Sequence, residues 1–252
     1  MAADDVIVIL PRYSKASTYQ SKLARSWAYV GALEGMCTTT ITTNTNLTDV
    51  YCSGTSSLLL TMLRFLELDS GTIFIDGVDI RTVPRDILRE RFATVAQDPF
   101  IIADSVRMNI DPFGKTTGDS EIITTLPKVH LWSLIESRGG VDTHMKDQLL
   151  SQGQRQLFSL ARAIVNRGSI LVLDEATSNV DAESDKLMQQ VIKEEFRGRT
   201  MISVAHRLDT ILDSDVVVLL ESGKVREMGR PADLLELPGS GFRELYERQR
   251  RE

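Results

Sequence analysis

The chain has 252 residues, a net charge of −6 and only two cysteines, Cys37 and Cys52. This length suits one large domain or two small ones, and the acidic balance provides no general attraction to nucleic acid. Two cysteines are too few for a disulfide framework and suit a reducing compartment. Because no apolar run approaches the roughly 20 residues that a membrane-spanning helix needs, we expect other segments to supply any membrane span.

The first 50 residues differ in pattern from the rest of the chain. Thr38–Thr48 consists largely of Thr and Asn without a helical or strand period, which favours a loop or a poorly ordered arm. We therefore treat residues 1–50 as an atypical N-terminal segment and expect residues 51–252 to form the regular domain.

From about Gly54 onward, apolar runs of strand length alternate with helical patterns. This alternation predicts an α/β fold with a mainly parallel sheet and helices on its faces. The stretch from about 98 to 155 has helical patterns but no convincing strand, so we interpret it as a helical insertion. The predicted helices are Ser56–Leu66, Pro84–Arg91, Glu121–Ser137, Gln154–Asn166 and Ala182–Phe196, and the predicted strands are Gly71–Gly77, Thr94–Ala96, Ile170–Leu173, Met201–Ala205 and Val216–Leu220.

The strand Ile170–Leu173 is followed directly by two carboxylates, Asp174 and Glu175. Ligands collect at the carboxyl ends of parallel strands. There, Asp174 could hold Mg²⁺ directly or through water, and Glu175 could polarise an attacking water. Strands also end in acidic residues simply because the chain is leaving the core, so the motif alone leaves both interpretations open.

A helix start is predicted at Leu150–Gln154, which reads Leu-Ser-Gln-Gly-Gln. Ser151 and Gln154 have the spacing of a capping box, in which side chains satisfy the first backbone N–H groups of a helix. The same helix start, with a hydroxyl and the small Gly153, is suited to binding an anion. The two interpretations are compatible, since a capped helix start can also receive a phosphate.

Two further polar residues follow predicted strands. His206 comes directly after Met201–Ala205, and Gln97 comes directly after Thr94–Ala96. A lone histidine at a strand end is more often structural than catalytic, and Gln97 also fits an ordinary turn before Pro99. Neither residue indicates a function by itself.

Taken in order, these motifs resemble the ATP-binding cassette (ABC) family over roughly residues 53–250. The turn Ser53–Ser57 leads into an apolar helix, as the phosphate loop does in that family. The sequences flanking the later motifs are also similar to those of the family. Residues 151–156 and the tail Pro238–Tyr246 resemble the second nucleotide-binding domain of multidrug-resistance-type (C-subfamily) transporters. A single motif carries a real risk of a chance match, whereas several in the family's order do not.

The resemblance implies a P-loop NTPase-like fold with a helical insertion subdomain and a partial antiparallel β subdomain, with ATP and Mg²⁺ as cofactors. Glu175 and His206 would be the catalytic residues, and Asp181 would belong to the D-loop. Residues that would bind ATP in the same chain are Ser53, Gly54, Thr55, Ser56, Ser57 and Gln97. Those that would organise Mg²⁺ are Ser56, Gln97 and Asp174. Those that would contact ATP held by a partner domain are Leu150, Ser151, Gln152, Gly153 and Gln154, here called the signature segment.

The phosphate loop departs from the family pattern G-x-x-x-x-G-K-[ST]. When Ser56 is aligned with the Mg²⁺-binding Ser/Thr, Gly54 occupies the second glycine position, Thr55 the lysine position and Asp49 the first glycine position. Loss of the lysine removes a positive charge beside the phosphates, and Asp49 adds repulsion. The family also stacks an upstream aromatic on adenine, and no aromatic of this chain is assigned to that role.

Three functional hypotheses follow from the resemblance. The first is the ATP-hydrolysing domain of an ABC transporter, paired head to tail with a second nucleotide-binding domain. It would lie at the cytoplasmic face of a membrane through association with, or fusion to, transmembrane domains. The second is a non-hydrolysing regulatory or vestigial domain that completes a partner's ATP site. The third, a soluble ABC-type ATPase acting on DNA or ribosomes, is disfavoured because the chain has neither a long coiled-coil insertion nor a basic composition, and we expect no nucleic-acid partner.

Overall fold

The structure is a computed structural model, and it describes residues 5–10, 39–42, 54–68, 72–114, 118–146, 149–174, 176, 180–205, 208–221 and 224–251. The chain divides into two compact units. The first unit comprises residues 1–89 together with 200–252, and the second comprises residues 90–199.

The described helices and strands agree in kind with most of the predicted ones. The strands are β1 (Asp5–Leu10), β2 (Thr39–Thr42), β3 (Thr72–Ile75), β4 (Val78–Asp79), β5 (Phe92–Val95), β6 (Ile170–Asp174), β7 (Thr200–Ala205), β8 (Val216–Glu221) and β9 (Lys224–Gly229). The helices are α1 (Gly54–Met62), α2 (Arg85–Glu90), α3 (Val106–Ile110), α4 (Asp119–Thr125), α5 (Trp132–Glu136), α6 (Gln152–Asn166), α7 (Ala182–Glu195), α8 (Pro231–Glu236) and α9 (Gly241–Gln249).

The described strand pairs of the first unit are antiparallel. β1 lies between β7 and β8, and β8 pairs with β9 across a register shift at Leu219/Leu220. β2, β3 and β4 form a separate three-stranded antiparallel sheet. An apolar cluster in this unit comprises Leu208, Ile211, Val217, Leu219, Leu234 and Phe242. The antiparallel β part expected from the sequence is therefore present.

The second unit contains a parallel strand pair and a buried helix packed on it. β5 and β6 run parallel, with Phe92 opposite Ile170 and Val95 opposite Leu173. α6 packs on β5, and the residues on one of its faces, at spacings of three and four, are buried. That face includes Gly153, Gln156, Leu157, Leu160, Ala161 and Ile164. The spacing is that of an amphipathic helix whose inward stripe covers a sheet.

One predicted helix was wrong in its extent. The sequence suggests a single helix over Glu121–Ser137, but the structure has α4 and α5 separated by residues 126–131. Pro127 lacks the N–H that a helix interior uses, and His130 has a left-handed φ of 56°. The apolar residues on both sides of the break, Ile122, Leu126, Leu131 and Ile135, are nevertheless all buried.

One further helix end and two strands of the N-terminal segment also differ from the expected ones. The first apolar helix was expected to continue to Leu66 but ends at Met62, and Arg64 has a left-handed φ of 53°. In the N-terminal segment, β1 and β2 are strands that the sequence pattern did not indicate. β2 lies inside the Thr-rich stretch, for which a loop was the favoured interpretation.

Candidate nucleotide-binding site

The signature segment forms the capped start of α6. Ser151 is the N-cap residue, and its Oγ accepts a hydrogen bond from the Gln154 backbone N–H at 3.3 Å. The Gln154 side-chain oxygen in turn accepts from the Ser151 backbone N–H at 3.0 Å. The predicted capping box is confirmed. Ser151 and Gln152 are exposed, so this helix start is accessible in the second unit.

Gly153 lies against the first turn of α7. A Cβ built on Gly153 would come within 2.7 Å of the Ser184 Cβ and 3.0 Å of the Asp181 Oδ2. Such distances are too short for a side chain, so only glycine fits without a shift of one helix. The close approach also brings the signature segment next to Asp181, the residue expected in the D-loop.

Asp181 is the N-cap residue of α7. Its Oδ1 accepts a hydrogen bond from the Ser184 backbone N–H at 2.9 Å. Hydrogen bonds from Ser184, first from its backbone N–H and then from its side chain, lower the pKa of Asp181 from the usual 3.8. The carboxylate therefore stays charged at neutral pH, where it also stabilises the positive end of the helix dipole.

Gln97 and Asp174 lie at the same edge of the parallel strand pair. Asp174 is the last residue of β6, and Gln97 lies two residues beyond the end of β5. Since Val95 is paired with Leu173, both residues lie at the carboxyl ends of adjacent parallel strands. The structure thus places two of the three residues expected to organise Mg²⁺ at one strand edge.

The oxygens at this edge suit a magnesium ion. Mg²⁺ is held in proteins by one or two carboxylates together with water and substrate phosphates, and the Asp174 carboxylate and the Gln97 amide oxygen are ligands of that kind. The third expected residue, Ser56, belongs to the first unit, and its side chain lies outside the described part. When bound, the ion would neutralise phosphate charge.

The phosphate-loop helix begins two residues before its predicted start at Ser56. α1 starts at Gly54, so Thr55 and Ser56 lie in its first turn. Leu58, Leu59 and Met62 of this helix are buried, which fixes it in the first unit. Three expected site residues fall outside the described residues altogether, namely Ser53, Glu175 and His206, and the side chains of Thr55, Ser56 and Ser57 do so too.

Gln156 is a residue of this region to which the sequence motifs assigned no role. Its Nε2 donates to the carbonyl oxygens of Ala96 at 3.2 Å and Gln97 at 2.5 Å. It is buried, with 1% of its surface exposed. A signal was available, because Gln156 is a polar residue within the apolar stripe of α6, and buried polar side chains need partners.

The chain matches known proteins over much of this region. The family model described as ABC transporter matches residues 52–178. ABC multidrug transporter B of Aspergillus fumigatus is 50% identical over 194 residues, which are 77% of this chain and 13% of that transporter. Human ATP-binding cassette sub-family C member 2 is 45% identical over 190 residues, 74% of this chain and 12% of that protein.

A solved structure is similar in both fold and sequence. It is described as a bacterial Atm1-family ABC exporter with ATP bound, with a TM-score of 0.72 and 32% identity over 79% of this chain and 36% of that chain. The fold is therefore the P-loop NTPase-like fold that the resemblance implied.

The chain belongs to the ABC transporter family. Within it, the expected likeness to multidrug-resistance-type, C-subfamily nucleotide-binding domains is confirmed by the fungal and human relatives. The chain spans only about an eighth of the length of these two curated relatives. None of the helices in its described part is long and apolar enough to cross a bilayer.

Proposed function

We propose that this chain is the ATP-binding domain of a multidrug-type ABC exporter and that it contributes its signature segment to an ATP site shared with a second nucleotide-binding domain. The ATP-dependent closing and opening of that pair would drive attached transmembrane domains between two states. These partners would place the chain at the cytoplasmic face of a membrane. The family match and the transporter names of its relatives support this proposal over a soluble ATPase.

The geometry of the α6 start is the observation that carries the proposal. α6 is 15 residues long, and its N-terminus, with the Ser151 hydroxyl, is exposed. Free N–H groups and the positive end of a helix dipole favour a phosphate at such a position. Ser151, Gly153 and Gln154 would contact the γ-phosphate of ATP held by the partner's loop.

The other site residues have complementary roles in this proposal. Asp174, Gln97 and Ser56 would hold Mg²⁺, Glu175 would orient the attacking water, and His206 would sense the γ-phosphate. Phosphoryl transfer depends mostly on positioning and charge stabilisation, and the strand-end position of Gln97 and Asp174 suits that task.

The chain's own phosphate loop is expected to bind ATP weakly. Thr55 stands in the first turn of α1, where the family pattern has a lysine. A hydrogen bond to a charged group contributes about 1.5–3 kcal/mol. Because Thr55 cannot make the one that lysine would make, we expect the loop to bind ATP roughly tenfold to hundredfold more weakly. This favours a division in which the signature segment acts on a partner's ATP while the chain's own phosphate loop contributes little.

Calorimetry with Mg-ATP tests this expectation on the unmodified chain and on a Thr55→Lys variant. We expect no saturation of the unmodified chain at ATP concentrations where the variant binds, because lysine restores the charge beside the phosphates. A Thr55→Gln variant of similar length is the matched control and should remain weak. Tight binding by the unmodified chain, or none by Thr55→Lys, would contradict the proposed state of the loop.

A further inference from the structure

The side chain of Gln156 connects α6 to the end of β5. It lies two residues beyond the signature segment, and its amide reaches residues 60 and 59 positions earlier in the chain. Its Nε2 donates to two consecutive carbonyl oxygens, those of Ala96 and Gln97, at 3.2 and 2.5 Å. One amide nitrogen thus contacts the backbone on both sides of the Ala96–Gln97 peptide bond.

The Gln156 amide is only partly hydrogen-bonded. Its Oε1 is buried and has no hydrogen-bond partner among the residues that the structure describes. A methionine of similar volume would remove that unpaired oxygen, but it would also take the donor away from the Ala96 and Gln97 carbonyl oxygens. The distinctive contribution of Gln156 is therefore its contact with the backbone of residues 96–97.

A second amide attaches α6 to the opposite end of the same strand. Asn166 is the last residue of α6, and its Nδ2 donates to the Phe92 carbonyl oxygen at 2.9 Å. Phe92 is the first residue of β5. The helix is thus connected to β5 near both ends, and of these two contacts the one made by Gln156 lies at the strand edge that carries Gln97 and Asp174.

We propose that Gln156 is a positioning residue that keeps the Gln97 backbone at a fixed position relative to the start of α6. The Gln97 side chain is thereby kept at the Mg²⁺ side of the strand edge, and a displacement of the signature segment is passed to Gln97. This inference rests on the proposed function, because it assigns Gln97 to the nucleotide site. It predicts that replacing Gln156 reduces the gain in ATP affinity that Mg²⁺ provides. The affinity for ATP without Mg²⁺ should change much less.

The test compares Gln156→Met and Asn166→Leu in the full chain carrying Thr55→Lys. ATP affinity is measured by calorimetry with Mg²⁺ and again with EDTA, and thermal unfolding is recorded for each variant. We expect Gln156→Met to reduce the Mg²⁺-dependent gain in ATP affinity about tenfold while leaving affinity in EDTA within about twofold, as for loss of hydrogen bonds that position a ligand. Asn166→Leu should lower the unfolding temperature and leave the Mg²⁺-dependent gain unchanged.

Amide hydrogen exchange of residues 96–98 in the nucleotide-free chain provides a second readout. Exchange should become faster in Gln156→Met and stay the same in Asn166→Leu. An unchanged Mg²⁺-dependent gain in Gln156→Met, or an equal loss in Asn166→Leu, would overturn the proposal. If the Thr55→Lys chain binds no ATP, the proposed state of the phosphate loop fails instead, and unchanged exchange at residues 96–98 would then overturn the role of Gln156.

Discussion

At the residue scale, the most constrained position of the site is Gly153. The sequence offered Gly153 as a small residue suited to phosphate, and the structure adds a second reason for glycine, which is the approach of α7. Ser184 Oγ could rotate away from an added methyl group, but the Ser184 Cβ, at 2.7 Å, moves only with its helix. The same residue thus fits both a ligand-binding and a packing requirement.

Gly153→Ala is expected to destabilise the chain by about 1–3 kcal/mol, as overpacking of a close contact does. Urea unfolding of Gly153→Ala, Ser184→Gly and the double variant measures this as a double-mutant cycle. The double variant should recover most of the loss caused by Gly153→Ala, because the opposing Cβ is absent. Additive losses would show that the contact between α6 and α7 is not the cause.

At the element scale, capping and ligand binding by the α6 start can be separated. Ser151→Ala removes the cap and should cost about 1 kcal/mol of stability. Ser151→Asp keeps a capping oxygen and should stay close to the unmodified chain in urea unfolding. Its negative charge should nevertheless repel a phosphate, so the helix start should no longer contact the γ-phosphate of ATP held by a partner domain. Ser240→Ala removes the Ser cap of α9 together with the Ser240–Glu227 hydrogen bond, and it serves as a control that changes stability without altering the signature segment.

The start of α9 is held by a carboxylate from β9. Glu227 accepts hydrogen bonds from Ser240 Oγ at 2.8 Å and from the backbone N–H groups of Gly241 at 2.6 Å and Phe242 at 3.2 Å. Burial alone would raise the pKa of Glu227, but these hydrogen bonds and the charge of Arg226 outweigh it and lower the pKa from its usual 4.5.

This lowered pKa predicts an acid-sensitive contact. The unfolded chain takes up a proton on Glu227 at higher pH than the folded chain, because folding lowers the pKa. The contribution of Glu227 to stability is therefore fully present above its unfolded pKa of 4.5. It declines as the pH falls through the lower pKa of the folded chain. Glu227→Gln should therefore be less stable than the unmodified chain near pH 7, and the difference should shrink below about pH 4. Urea unfolding at both pH values measures it, and a pH-independent difference would contradict this account.

The sequence predicted elements well where a local pattern decides them. The capping box at Ser151 and the carboxyl-end position of Asp174 follow from short motifs, and both were found. β2 was missed because Thr39–Thr42 has no apolar alternation. It forms a strand through its pairing with β3, whose residues lie 30 to 36 positions away. The break between α4 and α5 was missed because the apolar spacing continues across Pro127, although the helical hydrogen bonds do not.

At the scale of the whole molecule, the two expected ATP-contacting parts of the chain differ from each other. The signature segment forms a capped, exposed helix start in the second unit. The phosphate loop, in contrast, has Thr55 at the lysine position. The family match, the transporter relatives and the exporter of similar structure define the kind of protein. Whether the signature segment acts on a partner's ATP is a question about two chains rather than one.

The most direct measurement is the mass of a mixture of two variants by analytical ultracentrifugation, with and without ATP. One chain carries Thr55→Lys, Glu175→Gln and Ser151→Asp, so that it has a repaired loop, blocked hydrolysis and a blocked signature segment. The other chain is unmodified. We predict an ATP-dependent dimer in the mixture, none with either chain alone, and none when the unmodified chain carries Ser151→Asp. A mixture that stays monomeric, or a dimer that persists with Ser151→Asp in both chains, would contradict the account.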